Sequence, residues 1–127
     1  MRLIRSTDRE QLAQWIADDP EHKDLFLPEF WYERNRVSFV IEDKSGPVMF
    51  VKLVPEPPAM RIYIQFCHDP SRVAKAMLRH FSEVKVMVRR TGAKMIVFDT
   101  NNSRLAASCE RLFGFQRITE SDYSLHI

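Results

Sequence analysis

No run of apolar residues in this chain is long enough to span a bilayer, so a transmembrane helix is not expected. The opening stretch, MRLIRSTDRE, is charged and lacks the apolar core of a secretory signal. Cysteine is scarce. Cys67 and Cys109 stand far apart and make no disulfide framework; they read as two reduced, largely buried thiols of a cytoplasmic protein. His22, His68, His80 and His126 are scattered, none at metal-ligand spacing with a second donor, so no metal site is expected. A net charge of only +2 gives no electrostatic footprint for nucleic acid. Repeats, low-complexity tracts and linkers are also missing. The 127 residues therefore read as one domain, 1–127, with one core.

What is present is enough to build that core: 45% of residues are hydrophobic, including 9 Phe, 3 Tyr and 2 Trp. Charge is unevenly placed. Residues 1–60 hold 8 Lys and Arg against 11 Asp and Glu, a net −3. Residues 61–127 hold 11 against 6, a net +5. Such a division suits a cationic substrate on one side and an anionic cofactor on the other, and equally a solvated surface with a chance imbalance.

Residues 2–5 suggest a short strand. Thr7 and Glu10 have capping-box spacing, with Asp8 in the first turn and Leu12, Ala13, Trp15 and Ile16 on one helical face. Pro20 should close that helix. A second helical stretch over 21–35 should break or restart at Pro28. Residues 37–42 and 48–54 are β-rich and flank the turn 43–46, which predicts a hairpin. PEPP, 55–58, reads as a stiff connector. In 60–67, Met60, Ile62, Ile64 and Phe66 alternate with Arg61, Tyr63, Gln65 and Cys67.

The longest helix should run over 69–91, with Asp69 as N-cap, Pro70 at the first helical position and Gly92 just past the end. Val73, Met77, Phe81, Val84 and Val88 give its apolar face. MIVF, 95–98, is short and wholly apolar, as strands buried on both faces are. DTNNS leads into a helix with Leu105, Cys109 and Leu112 on one stripe. FGFQRI and YSLHI end the chain as strands. The order β-α-α-β-β-β-α-β-α-β-β contains one strand–helix–strand crossover, hence parallel pairing, and hairpins elsewhere. The expected fold is α/β (α+β mixed): a central, mixed, twisted sheet of six to seven strands flanked by about four helices.

Three segments carry a family resemblance: RLIRSTDREQLAQW, FVIEDKSGPVMFVKL and MIVFDTNNSRLAASCERLFGFQRI. In this order they resemble the opening strand and helix, the central hairpin, and the Asn-led helix ending in Gly-Phe of the GNAT (GCN5-related N-acetyltransferase) family. The resemblance covers nearly the whole chain. It implies an acyl-CoA-dependent N-acetyltransferase acting on an amine of a small molecule or protein, with acetyl-CoA as cofactor. It leaves open a GNAT-fold protein that has lost catalysis and works as a binding or assembly module, and it leaves a homodimer open.

The resemblance also implies site residues. The family holds the cofactor on a Gln/Arg-x-x-Gly-x-Gly/Ala loop opening the long helix, where glycines admit the pyrophosphate to helix N–H groups. The matching positions here are Asp69, Arg72 and Ala74, so Ser71, Arg72, Val73, Ala74 and Lys75 become cofactor-binding candidates, with Phe66, Cys67 and Asn102. Asp69 should cap the amides of Ser71 or Arg72, while Arg72 and Lys75 carry charge able to grip phosphate. Tyr63, Gln65 and Cys67 share the strand face where the family places a general base or water-holding group. Glu110 occupies the place of a family tyrosine that protonates the departing thiolate. Gln65 and Glu110 are thus the catalytic candidates, although a helical Glu beside Arg111 is as readily a solvated surface residue.

Overall fold

The computed structural model describes residues 1–19 and 27–127. Its strands are β1 (Arg2–Leu3), β2 (Val37–Asp43), β3 (Gly46–Glu56), β4 (Ala59–Phe66), β5 (Met95–Asp99), β6 (Gln116–Arg117) and β7 (Asp122–His126). Its helices are α1 (Arg9–Asp18), α2 (Pro28–Trp31), α3 (Pro70–Arg90) and α4 (Ser103–Phe113). One mixed sheet has the order β1-β2-β3-β4-β5-β7-β6. The β4–β5 pairing is parallel, from Ala59↔Met95 to Arg61↔Val97, as a strand–helix–strand crossover requires. The residues fall into two compact units, 1–53 with 63–83 and 54–62 with 84–127; β3, β4 and α3 run through both.

In the first unit, β2 and β3 form the expected hairpin from Val37↔Leu53 to Asp43↔Gly46. Gly46 takes φ 113°, a conformation that side chains oppose. Trp15 of α1 packs on Phe50 at 5.2 Å between ring centroids. The start of α1 differs from the expectation. A 3-10 turn, Ser6–Asp8, precedes it; the Asp8 side chain reaches back to the Arg5 backbone within that turn, and α1 itself starts with no side-chain cap where Thr7 and Glu10 were expected to form one. The Asp8 carboxylate accepts from Arg5 N–H at 2.8 Å and bidentately from Arg2 at 2.8 Å. Arg2 lies on β1, so the charged pair ties the first strand to the turn that leads into the first helix. The expected helix over 21–35 is represented among the described residues by α2 alone; its first part and the stop at Pro20 lie outside them.

Lys52, on β3, is wholly buried. Its ammonium donates to the Phe30 carbonyl, sits 3.5 Å from the centroid of the Phe30 ring and pairs with Glu33 at 3.0 Å. Burial of a charge is tolerable here because each of these contacts replaces water. The PEPP connector also needs correction: β3 continues through Pro55 and Glu56, and only Pro57 and Pro58 turn the chain into β4. Pro55 lies past Leu53, the last residue of β3 paired with β2, so its missing N–H breaks no ladder there.

In the second unit, Ile96 and Val97 of β5 are buried, and Phe98 packs on Phe115 and Tyr123 at 5.0 and 5.4 Å. Gly114 ends α4 in the left-handed region at φ 80°, as a C-terminal glycine does, and Phe115 is buried. The buried stripe of α4 is Ala106 and Cys109; Leu105 is half-buried and Leu112 exposed. That stripe is rotated by one residue from the expected one. Arg61 meets Glu56, Asp99 and Asp122, which gathers three carboxylates of this unit around one guanidinium.

The alternation of β4 is correct, but the two faces are not core and solvent. Met60 and Ile62 are buried while Ile64 and Phe66 are only half-buried. On the other face Gln65 and Cys67 are the buried pair. The end of α1 covers that face, so polarity does not send Gln65 outward.

Candidate functional site

The first unit brings together the second half of β4, the first turn of α3 and the end of α1. The Cys67 N–H bonds Val48 O at 2.9 Å, which ties the chain just past β4 to β3. Gln65 is 2% exposed. Its Nε2 donates to Asp19 Oδ2 at 3.0 Å and more weakly to the Trp15 carbonyl at 3.5 Å. Both partners accept only, so the amide has one admissible orientation. Its Oε1 is then buried and has no hydrogen-bond partner among the described residues. Tyr63 meets the Phe30 ring edge-on at 5.0 Å. Beyond β4, His68 Nε2 lies 3.4 Å from Asp18 Oδ2.

The start of α3 is self-contained. Asp69 Oδ1 accepts from the N–H groups of Ser71 and Arg72 at 3.1 and 3.2 Å. Val73 N–H bonds Asp69 O at 3.1 Å, and Pro70 has no N–H to offer. The donors of a helix start that elsewhere receive anions are thus used within the chain. Arg72 is engaged as well. Its guanidinium grips Asp43 bidentately at 2.9 Å and reaches the carbonyls of Gly46 and Pro47 at 3.2 Å. The Arg72 contact holds the Asp43 carboxyl at about 2, below the usual carboxylate range. The side chain able to grip phosphate therefore staples α3 to the β2–β3 turn.

The remaining candidates are placed as follows. Cys67 is buried, its Sγ 3.9 Å from Asp69 O. Phe66 and Val73 are half-buried, and Ser71, Ala74 and Lys75 are exposed. Lys75 therefore presents a cation one turn into α3. Asn102 and Glu110 belong to the second unit. Asn102 caps α4, its Oδ1 accepting from Arg104 and Leu105 N–H at 3.1 Å each, so its side-chain oxygen is used locally. Glu110 is exposed on α4. Burial, aided by the nearby Glu110 charge, pushes the Cys109 thiol up to about 11, which removes it as a thiolate nucleophile near neutral pH. Sequence reasoning missed Asp19 and Asp43. Neither has a local signature: each is defined by a partner 46 or 29 residues away.

Comparison with known proteins gives structure and not sequence. No family model matches the chain, and no curated relative does. Solved structures do match. A domain from Methanocaldococcus jannaschii DSM 2661 is 18% identical, with TM-score 0.74 over 99% of this chain and 96% of that one. A protein assigned to the GNAT acetyltransferases, from Desulfovibrio desulfuricans, is 17% identical, with TM-score 0.70 over 99% and 96%. The aminoglycoside acetyltransferase AAC(6')-Ib, in complex with coenzyme A and kanamycin, is 14% identical, with TM-score 0.66 over 98% and 92%. At such identity the likeness concerns the fold, and the fold is that of the GNAT acetyltransferases.

Proposed function

We propose, from the fold it shares with GNAT acetyltransferases, that this chain is an acyl-CoA-dependent N-acetyltransferase acting on an amine of a small molecule or protein. The observation that carries this reading is the carbonyl oxygen of Gln65, buried on β4 without a hydrogen-bond partner among the described residues, with its amide held by Asp19 and Trp15. Acyl-CoA supplies an activated acyl carbon and a thiol leaving group. The chain's share is to hold the amine against the acyl carbon. Gln65 Oε1 accepts one N–H of the amine and fixes the direction of its lone pair. An amide is no base, so the amine must arrive neutral and release its surplus proton to water. Glu110 is the candidate proton donor to the leaving thiolate. Asn102, Phe66, Cys67 and the 71–75 turn are the candidate cofactor contacts. A single domain in a cytoplasmic setting, with both thiols reduced, completes the reading.

The residues at the start of α3 do not fit a pyrophosphate as they stand, because Asp69 holds the two free amides and Asp43 holds Arg72. Acetyl-CoA must displace the Asp69 carboxylate, so we expect weak binding. That same observation favours a second reading, a GNAT-fold binding module without transfer. A thermal-shift titration with acetyl-CoA separates the two. A ligand of the folded state raises the unfolding midpoint with concentration. No rise at saturating acetyl-CoA favours the module.

A further inference from the structure

We infer that the contact between Asp43 and Arg72 is an autoinhibitory latch: the β2–β3 turn holds the guanidinium that a phosphate of acyl-CoA would take, and lets go when the phosphate takes it. This regulates the cofactor site of the transfer reading above, and rests on that reading. The first turn of α3 offers two amides and one guanidinium to an anion, and carboxylates of the chain occupy all three. Asp69 Oδ1 accepts from the N–H groups of Ser71 and Arg72. Asp43 accepts from Arg72 Nε and from one terminal guanidinium nitrogen, at 2.9 Å each. Two carboxylates thus stand where phosphates would.

The geometry suits exchange. An arginine fork receives a carboxylate and a phosphate in the same two-pronged way, so a phosphate replaces Asp43 without loss of hydrogen bonds. The pair lies at the surface, with 26% and 36% of the two side chains exposed, where an ion pair contributes little to stability. The turn itself does not depend on Arg72. Ser45 N–H donates to Asp43 Oδ1 at 2.8 Å, Asp43 pairs with Gly46 across the hairpin, and Gly46 at φ 113° reverses the chain. What Arg72 adds is a tie from α3 to that turn, through Asp43 and through the Gly46 and Pro47 carbonyls at 3.2 Å.

Protonation does not open the latch. Arg72 holds the Asp43 carboxyl at about 2, so Asp43 stays charged at any pH near neutral. A competing anion has to open it, and that anion meets two carboxylates, Asp43 and Asp69, against the one Arg72 cation. Lys44, exposed in the turn, and Lys75, exposed one turn into α3, favour an anion of several charges that can use them as well. The latch therefore sorts anions by charge: a cofactor with several phosphates exchanges with Asp43, and a simple monoanion does not.

The test is calorimetry with acetyl-CoA on wild type, on Asp43→Asn, and on Asp43→Asn combined with Arg72→Gln. Asparagine keeps Oδ1 for the Ser45 amide and sheds the charge that holds Arg72. Asp43→Asn should therefore bind acetyl-CoA about fivefold more tightly, the effect of one charge near 4 Å in water. Adding Arg72→Gln should cancel the gain. Unchanged or weaker binding in a folded Asp43→Asn, or a gain that survives Arg72→Gln, would overturn the inference. If Asp43→Asn does not fold, hydrogen exchange of wild type decides. Saturating acetyl-CoA should quicken exchange of the amides of 43–46 by freeing the turn from α3; equal or slower exchange would overturn the latch. Tighter binding in Asp43→Asn without acetyl transfer would remove the transfer reading and leave the latch standing. Acetyl transfer by wild type, with unchanged binding in Asp43→Asn, would do the reverse.

Discussion

Replacing Asp69 separates its two roles, helix cap and occupant of the anion position. Asp69 Oδ1 receives two amides at 3.1 and 3.2 Å. Asparagine keeps that oxygen and ranks with aspartate as an N-cap, so Asp69→Asn should change stability by only a few tenths of a kcal/mol. Alanine removes the oxygen and should cost about 1 kcal/mol. For a domain of this size that is a fall of about 3 to 5 °C in the unfolding midpoint. The effect on an anionic ligand runs the other way. One negative charge about 4 Å from a phosphate repels it by about 1 kcal/mol in water, near fivefold in affinity. Asp69→Asn should therefore tighten acetyl-CoA about fivefold with its midpoint almost unchanged. Asp69→Ala should tighten it as well, at the lower midpoint. Calorimetry with acetyl-CoA, paired with thermal unfolding, reads both quantities. Unchanged or weaker binding in a well-folded Asp69→Asn would show that the pyrophosphate does not meet the first turn of α3.

Other outcomes follow from the packing and the charges. Phe115→Ala should lose about 3–5 kcal/mol in chemical denaturation, since Phe115 is 6% exposed and packs on Phe98; a loss under about 1 kcal/mol would contradict that burial. The Arg2 hydrogen bonds hold the Asp8 carboxyl below its ordinary value. Its stabilisation is present above the carboxyl's unfolded pKa and is lost as pH falls through the lower folded one. Melting curves from neutral to acid pH should show an acid loss in wild type that Asp8→Asn blunts. Cys109, pushed up to about 11 by burial, should resist a thiol reagent in the native protein at neutral pH and react once the chain is unfolded.

The elements that sequence reveals best are those defined by local chemistry. Asp69-Pro70 opens α3 and Gly114 closes α4, because a cap or a left-handed residue acts on its own neighbours. The wholly apolar β5 and the parallel pairing after α3 follow from period and topology. Errors arise where a distant partner decides. Asp8 is taken up by Arg2 and the Arg5 amide, so α1 starts without a side-chain cap, and Gln65 turns inward because α1 ends above it. Arg72 was legible as a cation but not as a staple, since its partner, Asp43, sits in a turn 29 residues earlier. The candidate site is therefore less legible than the fold: its residue types are visible, but their hydrogen-bond assignments are not.

Acetyl transfer itself is the most direct test. Incubating the protein with acetyl-CoA and a panel of primary amines, and following free thiol together with the mass of each amine, measures it without assumptions about the site. The account predicts thiol release that requires both protein and amine, matched by an amine of the panel gaining one acetyl group and reduced in Gln65→Met. Folded protein that releases no thiol above buffer with any amine of the panel would contradict it.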